Sequence, residues 1–280
     1  MKLLRVGAIG QERPAILDSD QQIRDLSSVI PDINGDLLSD QALERLRAID
    51  LHSLPLVNSS ERIGPCIGQV GKVVCIGLNY SDHAAEAGMD LPTEPVLFMK
   101  ATSAICGPND PIQIPRGAEK TDWEVELAIV IGKKTKYISE EESMDHIAGF
   151  CLANDLSERA FQLERLGSWD KGKSHDSFAP IGPYLVTKDE IVDPQNLTMF
   201  TDINGERFQH GNTNTMVFDV KTIVAYLSQF MTLEAGDVIM TGTPPGVGMG
   251  QSPQKYLKAG DTVRIGIEGL GEQNQLCIDA

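Results

Sequence analysis

The chain has 280 residues, of which 41% are hydrophobic, and it carries a formal net charge of -16. This length and hydrophobic fraction suffice for one large globular domain or two unequal ones, and they exclude a disordered or fibrous chain. The acidic balance offers no basic stripe for phosphate groups, which excludes nucleic acid and anionic membranes as partners. No apolar run approaches the roughly 18 residues of a membrane span, and no signal-peptide pattern opens the chain, so we expect a soluble cytoplasmic protein. The five scattered cysteines favour reduced core thiols over disulfides or a zinc site.

The first part of the chain predicts a small α+β module. The expected elements are strands at 3–9 and 15–17 and a helix over 41–48, with Ser39 or Asp40 near its N-cap. The segment 51–71 is rich in proline, glycine and polar residues, as is typical of a linker. We therefore place a domain boundary near residue 68, with the module and linker at 1–68 and a larger domain at 69–280.

The larger domain is predicted to have a β-rich core, because its short apolar segments are separated by glycine and proline. The expected strands are 73–76, 96–99, 124–131, 149–153, 197–203, 238–241 and 262–267. The expected helices are 139–146, opened by a capping box of Ser139 and Glu142, 158–166 and 220–230. Mixed strands with few, segregated helices indicate an α+β fold.

Two acidic residues, Glu124 and Glu126, lie two apart at the start of an otherwise apolar predicted strand. Side chains two apart share one face of a strand, and burying two like charges together is costly unless a cation neutralises them. The pair alone leaves two interpretations open, which are a metal site and an exposed strand start with solvated glutamates.

Asp155 ends a second apolar run, 148–154, and could complete a set of three carboxylates with Glu124 and Glu126. Taken alone, Asp155 is typical of an acid at a helix entry, where it complements the helix dipole. An all-oxygen set suits a hard cation, Mg²⁺ or else Mn²⁺ or Ca²⁺, rather than zinc. The three residues together predict a site for such a cation.

Three further stretches carry polar side chains that chemistry could use. His83 and Glu86 are spaced so that, in a helical turn, the carboxylate raises the basicity of the imidazole and the pair can activate a water; the alternative is a capped surface turn. Lys173 follows a glycine, where the backbone can approach a ligand closely, and the alternative is an exposed lysine. The loop 241–250 lacks the pattern of a phosphate loop, but its amides and threonine hydroxyls could hold a carboxylate or an oxyanion.

Taken in order, these stretches resemble the fumarylacetoacetate hydrolase family over about residues 70–267. The resemblance is carried by Asn79-Tyr80 with His83, Glu94 to Lys100, Glu124-x-Glu126, Ala153-Asn154-Asp155 with Arg159, Lys173-Ser174 and Thr241-Gly242-Thr243-Pro244. It implies a rolled mixed β-sheet, a β-roll, in the larger domain, and a homodimer or dimer of dimers. The implied Mg²⁺ ligands are Glu124, Glu126 and Asp155, the implied catalytic residues are His83, Glu86 and Lys173, and the implied substrate-binding residues are Tyr80, Arg159, Gln162, Gly242 and Thr243.

Through the stretch 171–176 and the short leading module, the chain is most similar to the bacterial branch that hydrolyses 2,4-diketo-3-deoxy sugar acids derived from L-rhamnonate or L-fuconate. This implies Mg²⁺-dependent cleavage of the C3–C4 bond to pyruvate and a 2-hydroxy acid such as lactate. His83, polarised by Glu86, would deprotonate the water that adds to C4, and Lys173 would stabilise the charge of the leaving enolate. Oxaloacetate decarboxylase, acylpyruvase and ureidoglycolate lyase are alternatives on the same fold. A non-catalytic Ca²⁺-binding protein is a remote one, because a structural site needs neither the His83 pair nor Lys173.

Overall fold

Short strands make up most of the regular structure in the computed structural model, which describes residues 1–82 and 90–280. The strands are β1 (Lys2–Val6), β2 (Arg13–Leu17), β3 (Ile23–Asp25), β4 (Val73–Gly77), β5 (Val96–Lys100), β6 (Ile105–Cys106), β7 (Ile112–Ile114), β8 (Thr121–Asp122), β9 (Val125–Ile131), β10 (Ile147–Asn154), β11 (Ser157–Glu158), β12 (Ala179–Pro180), β13 (Leu185–Thr187), β14 (Thr198–Ile203), β15 (Glu206–Asn212), β16 (Val238–Met240), β17 (Thr262–Ile267) and β18 (Gly271–Asp279). The α-helices are α1 (Asp40–Arg47), α2 (Glu140–Ser143), α3 (Arg159–Leu163), α4 (Asp170–Lys173) and α5 (Val220–Phe230). Short 3-10 turns lie at Gly35–Leu37, Leu51–Ser53, Thr102–Ala104, Met144–His146, Lys188–Glu190, Thr213–Thr215 and Gly248–Gly250.

Two mixed sheets form the body of the described structure. One has nine strands in the order β3-β2-β1-β13-β10-β9-β16-β4-β5, and the other has five in the order β15-β14-β17-β18-β7. The centre of the large sheet, β9 and β10, contacts β14, β17 and β18 of the small one. Every residue of β9 and β10 is buried, as expected of strands covered on both faces. The predicted α+β class with a β-rich core is confirmed.

The helices are shorter than the sequence predicts at two places. The predicted helix 158–166 is α3, Arg159–Leu163, because Ser157 and Glu158 pair with β8 instead. Leu166 and Gly167 follow it with positive φ angles of 57° and 83°, which end helical geometry. The predicted helix 139–146 keeps its capping box but is α-helical only over α2. None of the described helices is long and apolar enough to cross a membrane.

The N-terminal strands continue the large sheet. β1 pairs antiparallel with β13, with Leu3 opposite Leu185, and β2 and β3 extend the sheet beyond it. Leu3 belongs to the main core, while Leu4 packs on the opposite face with Val6 and Ala15. The large sheet therefore contains strands from both sides of residue 68. The domain boundary at that residue stays a prediction.

We predict that Leu3→Ala lowers the free energy of unfolding by about 2–5 kcal/mol, because a fully buried leucine leaves a cavity when truncated. Urea denaturation followed by circular dichroism measures this loss. Ile9→Ala is the matched control, because Ile9 lies in the same segment and is 78% exposed. Since β1 is hydrogen-bonded into the large sheet, the variant should unfold in one transition. A separate early transition of the N-terminal part would contradict this and support two independent domains.

Candidate metal and substrate site

Three carboxylates meet where β9 and β10 lie side by side. The antiparallel register pairs Glu126 with Ala153 and Val125 with Asn154, and the Asp155 amide donates to the Glu124 carbonyl at 2.9 Å. This register brings Asp155 beside the two glutamates. One oxygen from each of Glu124, Glu126 and Asp155 lies within 4.8 Å of the others, and all three residues are buried. The geometry that the two-residue spacing and the strand end predicted is therefore present.

Three basic side chains are buried against these carboxylates. Lys173 donates to Glu124 Oε2 at 2.8 Å and to Asp155 Oδ2 at 2.6 Å. Lys100 donates to Asp155 Oδ1 at 2.5 Å, and Arg159 donates to Glu124 Oε1 at 2.6 Å. Lys173 is therefore a buried cation, and the alternative of an exposed lysine is excluded. Its neighbour Gly172 makes room for packing rather than for a ligand, because a Cβ there would lie 2.5 Å from the Glu158 carbonyl oxygen.

The charges around the two glutamates have opposite effects on their pKa values. Burial raises the pKa of Glu124, but the charges of Arg159 and Lys173 outweigh it and lower that pKa to about 2. Burial, together with the charges of Asp155 and Glu124, raises the pKa of Glu126 well above its ordinary value. Glu126 accepts a hydrogen bond from the Gly242 amide at 2.7 Å, and it has no ion pair with any described residue. A buried carboxylate in this position fits a hard divalent cation, because the ion would neutralise it with the oxygen ligands that such ions prefer.

A cavity of about 170 Å³ opens onto the carboxylates. Its polar wall consists of Glu124, Glu126, Asp155, Arg159, Gln162 and Lys173. Its apolar wall consists of Ile76, Phe98, Leu163, Trp169 and Met249. Leu78, Gly77, Gly242 and Thr243 complete the lining. Of the residues that the resemblance implied for the site, the structure brings the three carboxylates together with Arg159, Gln162, Lys173, Gly242 and Thr243.

Several donors of the loop 241–250 bind other groups of the protein. The Gly242 amide binds Glu126, and the Gly248 and Met249 amides bind Asp122 at 2.6 and 3.0 Å. The Thr243 hydroxyl donates to the Val125 carbonyl at 2.9 Å. These donors are therefore not directed at a ligand, in contrast to the expectation from sequence, because buried carboxylates of β8 and β9 need them.

Of the three other implied residues, the structure describes Tyr80. Tyr80 is outside the cavity lining, since it is fully buried and its hydroxyl donates to the Met199 sulfur at 3.3 Å. It supports the core beneath Gly242 instead of binding substrate. His83 and Glu86 fall within residues 83–89, outside the described part of the chain. Their predicted role as a water-activating pair stays a prediction.

Two buried residues of the site were not predicted from the sequence. Lys100 appeared only as the end of a family motif, because a lysine after an apolar run gives no sign that it turns inward. Asp122 accepts from Arg159 Nε at 2.9 Å and ties the loop at 248–249 to that guanidinium. The sequence pattern could have indicated Asp122, since Asp122, Glu124 and Glu126 are spaced two residues apart along the chain.

We predict that Lys100→Met lowers the free energy of unfolding by about 3–5 kcal/mol, because the buried Asp155 loses one of its two basic partners and its charge is less compensated. Lys134→Met is the matched control. Lys134 is exposed and lies 3.9 Å from exposed Glu234, so its loss should cost under about 1 kcal/mol. Chemical denaturation of both variants in parallel measures the difference. Equal stability of the two variants would show that Asp155 does not depend on Lys100.

Comparison with known proteins agrees with this geometry. Residues 72–276 match the family description fumarylacetoacetate (FAA) hydrolase C-terminal. A protein of Burkholderia cenocepacia (strain HI2424), named provisionally as a hydrolase, is 62% identical over 281 residues that cover 100% of both chains. The fumarylacetoacetate hydrolase of Exiguobacterium antarcticum superposes with a TM-score of 0.87 at 34% identity and full coverage of both chains.

A third relative carries ligands. The structure of maleylpyruvate hydrolase from Sphingobium sp. SYK-6 in complex with manganese (II) ion and pyruvate has a TM-score of 0.83 at 27% identity, again over 100% of both chains. The β-roll that the sequence motifs implied is thereby confirmed as the fold. Motif, fold and identity over the full length agree, and the chain belongs to the fumarylacetoacetate hydrolase family.

Proposed function

We propose that the protein is a divalent-metal-dependent hydrolase that cleaves the C3–C4 bond of a 2,4-diketo acid and releases pyruvate. The observation that carries the proposal is the set of three buried carboxylates with Lys173, Arg159 and Gln162 on one cavity wall. The maleylpyruvate hydrolase relative binds manganese and pyruvate, which supports a metal and a pyruvyl group at this site. The sugar-acid substrate that the resemblance implied, a homodimeric state and a cytoplasmic location stay predictions.

Glu124, Glu126 and Asp155 would hold the cation, Mg²⁺ or else Mn²⁺. When bound, the cation supplies positive charge that polarises oxygens of the substrate. The remaining polar groups fit a 2-oxo acid. No described residue accepts a hydrogen bond from Gln162 Nε2, while Gln162 Oε1 accepts from Arg159 at 3.1 Å. The Gln162 amide and the remaining guanidinium donors can therefore bind the substrate carboxylate.

Lys173 is suited to the bond-breaking step. Among the described residues it gives two of its three N–H donors to Glu124 and Asp155, which leaves one for a substrate oxygen. Burial lowers the pKa of Lys173, but the charges of Asp155 and Glu124 raise it overall, and the ammonium therefore stays protonated. A fixed positive charge next to the oxygen that gains electrons as pyruvate enolate leaves stabilises the transition state. His83 with Glu86 is the proposed base for the attacking water.

We predict that Mg²⁺ or Mn²⁺ raises the melting temperature of the wild type and that Glu126→Gln loses this gain, because a ligand that binds only the folded state stabilises it. Differential scanning fluorimetry with and without metal measures the shift. Glu119→Gln, at an exposed glutamate, should keep the full shift. An undiminished metal-dependent shift in Glu126→Gln would remove Glu126 from the ligand set.

Hydrolysis and oxaloacetate decarboxylation differ in the origin of one product oxygen. Cleavage of R–CO–CH₂–CO–COO⁻ by water gives R–COO⁻, a proton and pyruvate, so turnover in ¹⁸O-water should label the carboxylate of the R acid. Mass spectrometry of the products measures the label.

We expect kcat/KM for the diketo acid to exceed that for oxaloacetate by at least about 10²-fold if C4 contacts are used in the transition state. His83→Ala should lower hydrolysis by about 10²-fold or more while metal affinity barely changes. Efficient oxaloacetate decarboxylation with an inert diketo acid would favour the decarboxylase instead.

A further inference from the structure

The apolar wall begins directly beside Lys173. Trp169 has helical backbone angles, and its carbonyl accepts from the Gly172 amide at 2.9 Å. Trp169 and Lys173 are therefore four residues apart on one helical turn and share one face. The Trp169 ring meets Phe98 edge to face at 5.2 Å between centroids, and Lys173 Nζ lies 4.8 Å from the centre of the Phe98 ring. Phe98 thus contacts both the Lys173 ammonium and the Trp169 indole.

Close packing holds Trp169 in this place. A Cβ at Gly77, at the end of β4, would lie 2.8 Å from the Trp169 ring, so the indole rests on bare backbone. Phe98 and Lys100 alternate along β5 on the same face, and Lys100 binds Asp155. The aromatic pair is therefore fixed to the same elements as the carboxylates. The wall continues outward to Leu163, which is 48% exposed at the cavity mouth.

We propose that the group attached to C4 of the substrate is an apolar acyl chain that packs on the apolar wall, and that Trp169 determines this specificity. The inference rests on the proposed function, because the pyruvyl part must first lie on the polar wall with C4 near Lys173. A group beyond C4 then extends along Phe98 and Trp169 toward Leu163.

The wall offers little to a polar tail. Among its described side chains, the Trp169 indole N–H is the single strong hydrogen-bond donor, and none is a strong acceptor. A hydroxyl placed there would lose water and could gain at most one hydrogen bond, from the indole N–H. A second carboxylate would fare worse, because Arg159 and Lys173, the described basic residues of the cavity lining, already pair with acidic side chains and give their remaining donors to the pyruvyl part. The wall therefore favours alkyl or aryl tails over hydroxylated or dicarboxylate ones, which argues against the hydroxylated sugar-acid substrate that the sequence resemblance implied.

The test is the Mg²⁺-dependent release of pyruvate from a matched set of diketo acids. In the alkyl series from acetylpyruvate to pentanoylpyruvate, kcat/KM should rise by about fourfold for each added methylene. The kcat/KM for propionylpyruvate should be at least about tenfold higher than that for 2,4-diketo-3-deoxy-L-rhamnonate, which differs from it by one hydroxyl at C5. Fumarylpyruvate, with its second carboxylate, should be a poorer substrate than propionylpyruvate.

Substitutions test whether the apolar wall determines this substrate preference. Trp169→Ala should lower kcat/KM for the long-chain substrates more than for acetylpyruvate and so flatten the chain-length dependence, and Trp169→Phe should restore part of it. Phe230→Ala, at an exposed aromatic residue outside the cavity lining, should leave the dependence unchanged. If Trp169→Ala fails to fold, Leu163→Asn at the mouth tests the same wall and should shift the preference toward the hydroxylated substrate.

The outcomes separate the two proposals. Cleavage of acetylpyruvate with a flat chain-length series, or a preference for the hydroxylated or dicarboxylate substrate, would overturn the apolar-tail inference while the hydrolase function stands. A wild-type slope that Trp169→Ala and Leu163→Asn both leave intact would overturn the assignment to this wall. Failure to release pyruvate from any diketo acid would overturn the proposed function and this inference together.

Discussion

The burial of like charges at the paired ends of β9 and β10 is the constraint on which the rest of the site depends. Four acidic side chains, Asp122, Glu124, Glu126 and Asp155, share this region with three basic ones, Lys100, Arg159 and Lys173. With all four carboxylates ionised, the described side chains would leave one negative charge uncompensated, and the raised pKa of Glu126, which lacks a basic partner among them, reflects that deficit. A divalent cation would turn that deficit into a single positive charge, which suits the carboxylate of a monoanionic 2-oxo acid. The same charge balance thus supports both the proposed metal and an anionic substrate.

The second sheet helps to position this cluster. Gln209 of β15 accepts from the Val125 amide at 3.1 Å, between the two glutamates, and its side-chain amide donates to Thr243 Oγ1 and the Pro244 carbonyl, both at 2.8 Å. One buried side chain therefore connects the small sheet, the start of β9 and the loop 241–250. Because the loop amides bind Glu126 and Asp122, the loop holds the acidic side chains in place. Metal ligation needs carboxylates whose positions are fixed in advance, and this network provides that.

Some of this arrangement could be predicted from the sequence, and the reasons differ by residue. The two-residue spacing of Glu124 and Glu126 and the position of Asp155 after an apolar run depend on strand periodicity, which is local. The burial of Lys173 and Lys100 depends on which carboxylates lie opposite, and no local pattern carries that information. The loop 241–250 resembled an anion-binding loop because its glycines expose amides, but the partners of those amides come from β8 and β9. No local pattern marked Trp169 as a residue of the site, since it follows an exposed segment with no apolar periodicity.

The placement of Trp169 and Lys173 on one helical turn links substrate choice to charge stabilisation. α4 is a single turn that starts next to the indole and ends at the ammonium, and Phe98 contacts both groups. A smaller residue at 169 would therefore remove support from the side of Phe98 that positions the Lys173 stem. On its other side the indole lies against Gly77, where a Cβ would come within 2.8 Å of the ring, so residue 77 has no room for a side chain. The space beside the apolar wall and the position of the Lys173 ammonium therefore cannot change independently. The apolar wall is as much part of the site as the carboxylates.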